Sequence, residues 1–256
     1  MIIIDKSSFI SPKENVYIKE GVSLDQKIFR YTNLSNLLMI LGSKKETNGQ
    51  LFVSRKSSFS DKKEKEFYAV LRCLASRFSP VSEKEPDSIS EEREENGKEN
   101  AEIREACKLC TSCWTYKDKE DYLMWKAYSN TESGLRIGTT VRKLVCALDA
   151  GSYEIYGAKI AYGKGIPCQN VLDSMFNKAI FYEQEKEFRL YINDSQEERN
   201  AERPIRLNIN PQVFIEEITL SPFMGGVGAK VMKDMLSSSY PYLKDKIQLS
   251  QIMEYK

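Results

Sequence analysis

The sequence predicts an α+β fold: one domain with a mixed, mostly antiparallel sheet flanked by helices. Three observations carry this. Short strand-like stretches rich in β-branched and aromatic residues are interleaved with stretches of helical spacing. The order of these stretches is mixed, and the chain has no internal repeat. Its 256 residues are 41% hydrophobic and 29% charged, close to the globular average and enough for one sizeable core.

The elements follow in order. Residues 1–25 are polar and read as irregular. Residues 27–32 read as a short strand, with Ile28 and Arg30 on one face. Asn33 is placed to cap a helix over 35–41, which Gly42 stops. Residues 49–54 read as a second strand. A helix is expected over 61–78, where Phe67, Val70, Leu71, Leu74 and Phe78 recur at helical spacing. Residues 82–104 are dense in acidic residues and poor in apolar ones, and are expected to be a mobile surface insertion without chemistry. Strands are then expected over 112–116 and 134–138, with a helix of one or two turns over 121–128 between them. A helix over 141–148, a strand over 153–162 and a helix over 171–180 follow. A strand over 181–191 carries Glu183, Glu185 and Glu187, and a further strand spans 214–220. A helix is expected over 226–238, then an exposed tail over 239–256 ending in a last strand.

Composition narrows the chemistry. Net charge is +1, from 38 basic and 37 acidic residues, so bulk charge gives no argument for nucleic-acid binding. There is no histidine, which excludes His general bases, Ser-His-Asp triads and His-metal sites. Acid–base chemistry falls to Glu, Asp, Tyr, Lys or Cys. No apolar run approaches membrane-spanning length, so a soluble, cytoplasmic protein with reduced thiols is expected.

Glu183, Glu185 and Glu187 recur at i, i+2 and i+4, which in a strand puts all three on one face. Stacked like charges repel unless a cation answers them. Arg189 has the same parity and is one candidate; Arg30, in the middle of an apolar strand, is another. Arg30 and the pair Glu185/Glu187 are therefore expected to line one cleft. Trp125 and Tyr128 are expected at its wall, with Gly134 and Gly138 nearby; core packing is the other reading of those aromatics. Cys107, Cys110 and Cys113 form two overlapping C-x-x-C units, but without histidine or a second pair the expectation is metal-free thiols.

Several of these motifs together resemble an uncharacterised bacterial family, domain of unknown function twenty-nine seventy-one. They are Arg30-Tyr31, Leu37 to Leu41, Phe59-Ser60-Asp61, Cys113-Trp114-Thr115, Met124-Trp125-Lys126-Ala127-Tyr128, Gly134-Leu135-Arg136-Ile137 and Glu185-Lys186-Glu187-Phe188-Arg189. The likeness runs over roughly residues 26–220 and supplies no reaction. A second likeness is mechanistic. An Arg-aromatic-Thr strand, a helix, a Ser/Thr strand and a late Glu-x-Glu are similar to the Arg-Ser-Glu pattern of the ADP-ribosyltransferase superfamily, DarT-type enzymes included. The fold it implies is ADP-ribosyltransferase-like and its substrate is NAD. It implies that Arg30 holds the NAD phosphates, with Tyr31 and Thr32 beside it. Ser112 or Thr115 is the strand hydroxyl, Glu187 the catalytic glutamate, and Glu185 the residue that orients the acceptor. Tyr31, Trp125 or Tyr182 would stack on nicotinamide. The acceptor would be a nucleic acid or a protein, in a toxin or phage-defence setting with a neutralising partner protein and no membrane.

Two other classes stay open: a non-enzymatic ligand-binding or sensor protein, and a hydrolase or nuclease that holds a divalent ion on the glutamates. On the sequence alone, removing the Glu187 charge is expected to relieve repulsion from Glu185 and leave stability level or higher.

Overall fold

A computed structural model describes residues 6–43, 48–55, 109–129, 132–163, 176–193 and 205–252. The expected helix over 61–78, the acidic segment 82–104, and Cys73, Cys107 and Cys168 lie outside the described residues.

The described chain is α+β. Its main sheet runs β1 (Phe9–Lys13), β2 (Val16–Lys19), β8 (Glu154–Lys159), β11 (Glu187–Asn193), β5 (Leu109–Thr115), β3 (Lys27–Asn33), β6 (Gly134–Thr140), β13 (Glu217–Leu220), β14 (Ile247–Leu249). A branch joins β4 (Gly49–Arg55) to β5 and to β12 (Ile205–Ile209), which in turn pairs β7 (Leu148–Asp149). Pairing in this sheet is antiparallel except between β2 and β8 and between β13 and β14. β9 (Ala161–Tyr162) and β10 (Asn177–Lys178) form a separate parallel pair.

Helix α1 (Leu34–Leu41) starts where Asn33 Oδ1 accepts the Asn36 N–H at 3.0 Å. It stops at Gly42, whose φ of 67° suits glycine and whose N–H reaches Leu38 O. Leu37, Ile40 and Leu41 are buried on one side of it. The β4 strand then returns so tightly that a Cβ on Gly49 would lie 1.6 Å from the Ile40 carbonyl oxygen. Gly49→Ala should therefore force β4 off α1 and destabilise the protein by about 1–3 kcal/mol or more. Gly226, with open space around its Cβ position, serves as the control: Gly226→Ala should melt as wild type does. Equal melting temperatures for all three proteins would refute the close approach.

Helices α2 (Tyr122–Tyr128) and α3 (Val141–Ala147) form where helices are expected, and the structure shows Asp121 and Thr140 capping them. The short helix α4 (Pro211–Phe214) and the long α5 (Gly226–Ser239) complete the helices among the described residues. The core between sheet and helices includes Ile28, Leu41, Leu51, Ile137, Leu144 and Leu190.

Five segments differ from expectation. Within residues 1–25, Val16 and Ile18 alternate with Tyr17 and Lys19 and build the β1–β2 hairpin, with Val16 and Ile18 buried. The alternation Ile205, Leu207, Ile209 likewise makes β12, an unexpected strand. Residues 214–220 are not one strand: Asn210 Oδ1 accepts from Gln212 and Val213 N–H, capping α4, and β13 starts only at Glu217. The expected exposed tail folds back: the 3-10 segment Pro241–Lys246 and β14 bury Leu243 and Ile247, and β14 pairs with β13. Of 171–180, the described residues 176–179 are not helical, and Ile180 only opens a 3-10 segment. Asn177–Lys178 is β10, and Phe176 packs edge-on against Tyr191 at 5.0 Å.

Candidate active site

One cavity of about 630 Å³ opens between β3, β5, β11 and α2, within the ~300–1,000 Å³ typical of small-molecule sites. β3 supplies Phe29, Arg30 and Tyr31; β5 supplies Thr111, Cys113, Trp114 and Thr115; α2 supplies Met124, Ala127 and Tyr128. Ser54, Lys178, Tyr182, Glu185, Glu187 and Arg189 complete the lining.

Arg30 stands mid-strand, as its sequence position requires. Its guanidinium donates to Ser112 Oγ at 2.8 Å and to Phe52 O at 3.3 Å, and lies 5.8 Å from the Trp114 ring. Trp114 Nε1 also donates to Ser112 Oγ, fixing that buried hydroxyl from both sides. Burial pulls the Arg30 pKa below its ordinary value, with Cys113 opposing. Among the described residues Arg30 has no carboxylate partner. A desolvated guanidinium held by neutral acceptors is suited to receive an anion, bidentately where it is a phosphate or carboxylate.

The glutamates take a different path from the expected strand. Ile180–Glu185 forms a 3-10 segment, Lys186 turns left-handed at φ 46°, and β11 begins at Glu187. Three stacked carboxylates are thereby avoided. Glu183 turns outward, its side chain 51% exposed and 3.5 Å from Lys186 Nζ. Glu185 and Glu187 still meet inside the cavity. Glu187, 4% exposed, is clamped by Arg189: Nε binds Oε1, and Nη2 donates to Oε2 at 2.9 Å. Lys178 Nζ lies 2.7 Å from Glu185 Oε2 and 3.5 Å from Glu187 Oε2. Tyr128 OH donates to Glu185 Oε1 at 2.8 Å, and the Glu187 N–H donates to Tyr162 OH at 2.8 Å. The cations answering the two glutamates are thus Arg189 and Lys178, not Arg30. Burial pulls the Arg189 pKa down, but Tyr191 and Glu187 outweigh it and the net direction is well up.

The other expected site residues divide. Arg30, Tyr31, Thr115, Tyr128, Glu185 and Glu187 share the cavity. Thr115 Oγ1 donates to Glu185 O at 2.6 Å, so it braces the glutamate turn. Tyr31 is pinned by the Asp121 N–H, which donates to its hydroxyl. Trp125 is not at the wall. It is fully buried, edge-on to Tyr31 at 4.8 Å, with Nε1 donating to Glu120 Oε2. Met124, Ala127 and Tyr128 share the cavity face of α2 at i, i+3 and i+4, and Trp125 falls about 100° round from Met124. Thr32 is also off the cavity: its hydroxyl accepts from Asn36 Nδ2, and its carbonyl accepts from Ser129 Oγ. Sequence reasoning missed Lys178 and Ser54; nothing in their local pattern marks them. Cys110, Cys113 and Cys146 are free thiols, and no group of three His, Cys, Asp or Glu among the described residues is placed to hold a metal.

Burial lifts the phenol pKa of Tyr31, Tyr128, Tyr156, Tyr162, Tyr191 and Tyr242 above the ordinary value, Tyr242 to about 12. At Tyr128 the charge of Glu185 adds to the effect. Unfolded phenols ionise near pH ~10. Stability tied to these groups is therefore fully present below about pH 10 and is lost as pH rises through the higher native values. Melting temperature should fall steeply above that point, while native phenolate absorbance lags behind that of the unfolded chain. A flat melting temperature across this range would contradict the desolvation of these rings, among which Tyr128 is half exposed.

No family model, curated protein or solved structure matches the chain. No helix among the described residues is long and apolar enough to cross a membrane.

Proposed function

We propose that the chain is an NAD-consuming, ADP-ribosyltransferase-like enzyme. One observation carries the reading. Three neighbouring strands, β3, β5 and β11, bring an arginine without a carboxylate partner among the described residues and a glutamate to one cavity, with a fully buried serine, itself off the cavity lining, bound to the arginine. Those are the residue types of the Arg-Ser-Glu pattern, with Ser112 rather than Thr115 at the arginine.

In this reading Arg30 holds the pyrophosphate, and Tyr31, Tyr128 or Tyr182 packs against nicotinamide. The bond from C1′ of the ribose to the nicotinamide nitrogen breaks. Its electron pair leaves with nicotinamide, and positive charge develops on the ribose. The Glu187 carboxylate faces that charge. The acceptor nucleophile bonds to C1′ and gives its proton to Glu185. The clamp by Arg189 fixes the Glu187 rotamer for this task. The acceptor is a nucleic-acid or protein nucleophile, and a toxin or phage-defence effector of this kind would have a partner protein that neutralises it.

The observation favouring a ligand-binding module without turnover is that both glutamates already hold cations. The same ion pairs weaken the hydrolase reading, which needs those carboxylates for a divalent ion. The test is nicotinamide release from NAD by the purified protein, with nucleic-acid and protein acceptors, with and without a chelator. Release that survives chelation supports the transferase. NAD binding without release supports the binding module, and release abolished by the chelator supports the hydrolase class.

A further inference from the structure

We infer that Lys178 is a positioning residue, whose ammonium sets the spacing and orientation of the Glu185–Glu187 pair. The inference rests on the transferase reading for its catalytic meaning, and on geometry for the clamp itself.

Lys178 Nζ sits between Glu185 Oε2 at 2.7 Å and Glu187 Oε2 at 3.5 Å, with the Tyr182 ring centroid 4.4 Å away. Its side chain is 7% exposed. An ammonium so desolvated is stable only where carboxylates answer it, and here two do. The reverse also holds. Two carboxylates brought this close repel, and Arg189 contacts Glu187. Among the described residues, the ion pairs place Lys178 against both.

The support for Lys178 is built separately from the main sheet. β10 pairs with β9 in register, Lys178 opposite Tyr162. Tyr162 OH takes the Glu187 N–H, and the Ile160 N–H donates to Glu187 O at 2.9 Å. The β9–β10 arm is therefore anchored to the backbone of the residue whose carboxylate Lys178 steers. Phe176, buried against Tyr191, pins the start of β10 to the β11 side of the fold. Tyr128 completes the arrangement from α2 by donating to the other Glu185 oxygen, so Glu185 is held from two walls. Arg30, the anion end of the cavity, takes no part in this network. Removing Lys178 should misplace the glutamates and leave the phosphate grip alone.

The test uses the full chain, Lys178→Met and Lys178→Arg, with two readouts. The first is NAD turnover beside NAD affinity. Lys178→Met is expected to lose roughly 10²-fold in kcat, the cost of a misplacement on the order of 1 Å. NAD affinity and the register of β11 should be kept, and Lys178→Arg should recover most of the loss. The second needs no turnover. Nitrogen-15 NMR of lysine ammonium groups should show one slowly exchanging resonance in wild type. It should vanish in Lys178→Arg and shift in both Glu185→Gln and Glu187→Gln. Unchanged kcat in Lys178→Met, or affinity falling in step with kcat, overturns the positioning role. An ammonium resonance indifferent to both glutamine variants overturns the clamp. If wild type releases no nicotinamide, the transferase reading falls, and the NMR result alone upholds or overturns the clamp.

Discussion

Glu187→Gln should release nicotinamide roughly 10²–10³-fold more slowly than wild type, the usual cost of losing one preorganised electrostatic contact. The substitution keeps shape and hydrogen-bonding capacity and removes the charge that faces the developing oxocarbenium. It should also lower stability. The expectation from sequence alone was the opposite, relief of repulsion from Glu185. In the fold, Glu187 is the carboxylate that Arg189 binds through two nitrogens, and Arg189 is 2% exposed. Taking the charge away breaks a buried ion pair in which Arg189 Nε and Nη2 both take part, and removes one of the two carboxylates beside Lys178. Breaking such a pair costs about 3–5 kcal/mol, and the hydrogen bonds that glutamine retains should hold the loss near the lower end. In a domain of this size each kcal/mol is worth roughly 2–4 °C of melting temperature. Chromatography of nicotinamide beside a thermal melt reads both effects. A variant that melts at or above wild type would show that Arg189 does not depend on Glu187.

Arg30→Met is expected to separate binding from stability in the other direction. Charge-assisted hydrogen bonds contribute about 1.5–3 kcal/mol each, so losing the grip on the pyrophosphate should weaken NAD binding by roughly 10–100-fold or more. Stability should hold level or rise. Arg30 is desolvated against neutral acceptors, and methionine fills similar volume without that cost. Ser112 Oγ keeps its hydrogen bond from Trp114 Nε1. Titration calorimetry with NAD and a melt of the same sample measure the two quantities. NAD affinity equal to wild type would remove Arg30 from the site.

The parts of this fold legible in the sequence are those where period and cap agree. Asn33 precedes an apolar run at helical spacing and caps α1, and the helices expected over 121–128 and 141–148 form as α2 and α3. Arg30 was legible as a mid-strand arginine needing an anion, and it does line the cavity with Glu185 and Glu187. Parity failed at the glutamates because it assumes a continuous strand. The left-handed Lys186 breaks the alternation, and Glu185 reaches Glu187 through Lys178 rather than through a shared pleat. Trp125 misled because an aromatic box marks an apolar patch without saying which members face inward; its neighbours at i−1, i+2 and i+3 took the cavity side of the helix. Lys178 was not legible at all. Its partners lie seven and nine residues away, across a 3-10 segment that no periodicity announces.

A crystal structure with a hydrolysis-resistant NAD analogue bound tests most directly whether this cavity holds NAD. The pyrophosphate should lie within hydrogen-bonding distance of the Arg30 guanidinium, and the nicotinamide ribose beside the Glu187 carboxylate. The nicotinamide ring should lie against Tyr31, Tyr128 or Tyr182, with Lys178 still between the two glutamates. An analogue seated elsewhere on the molecule, or in the cavity with its phosphates turned away from Arg30, would contradict this placement.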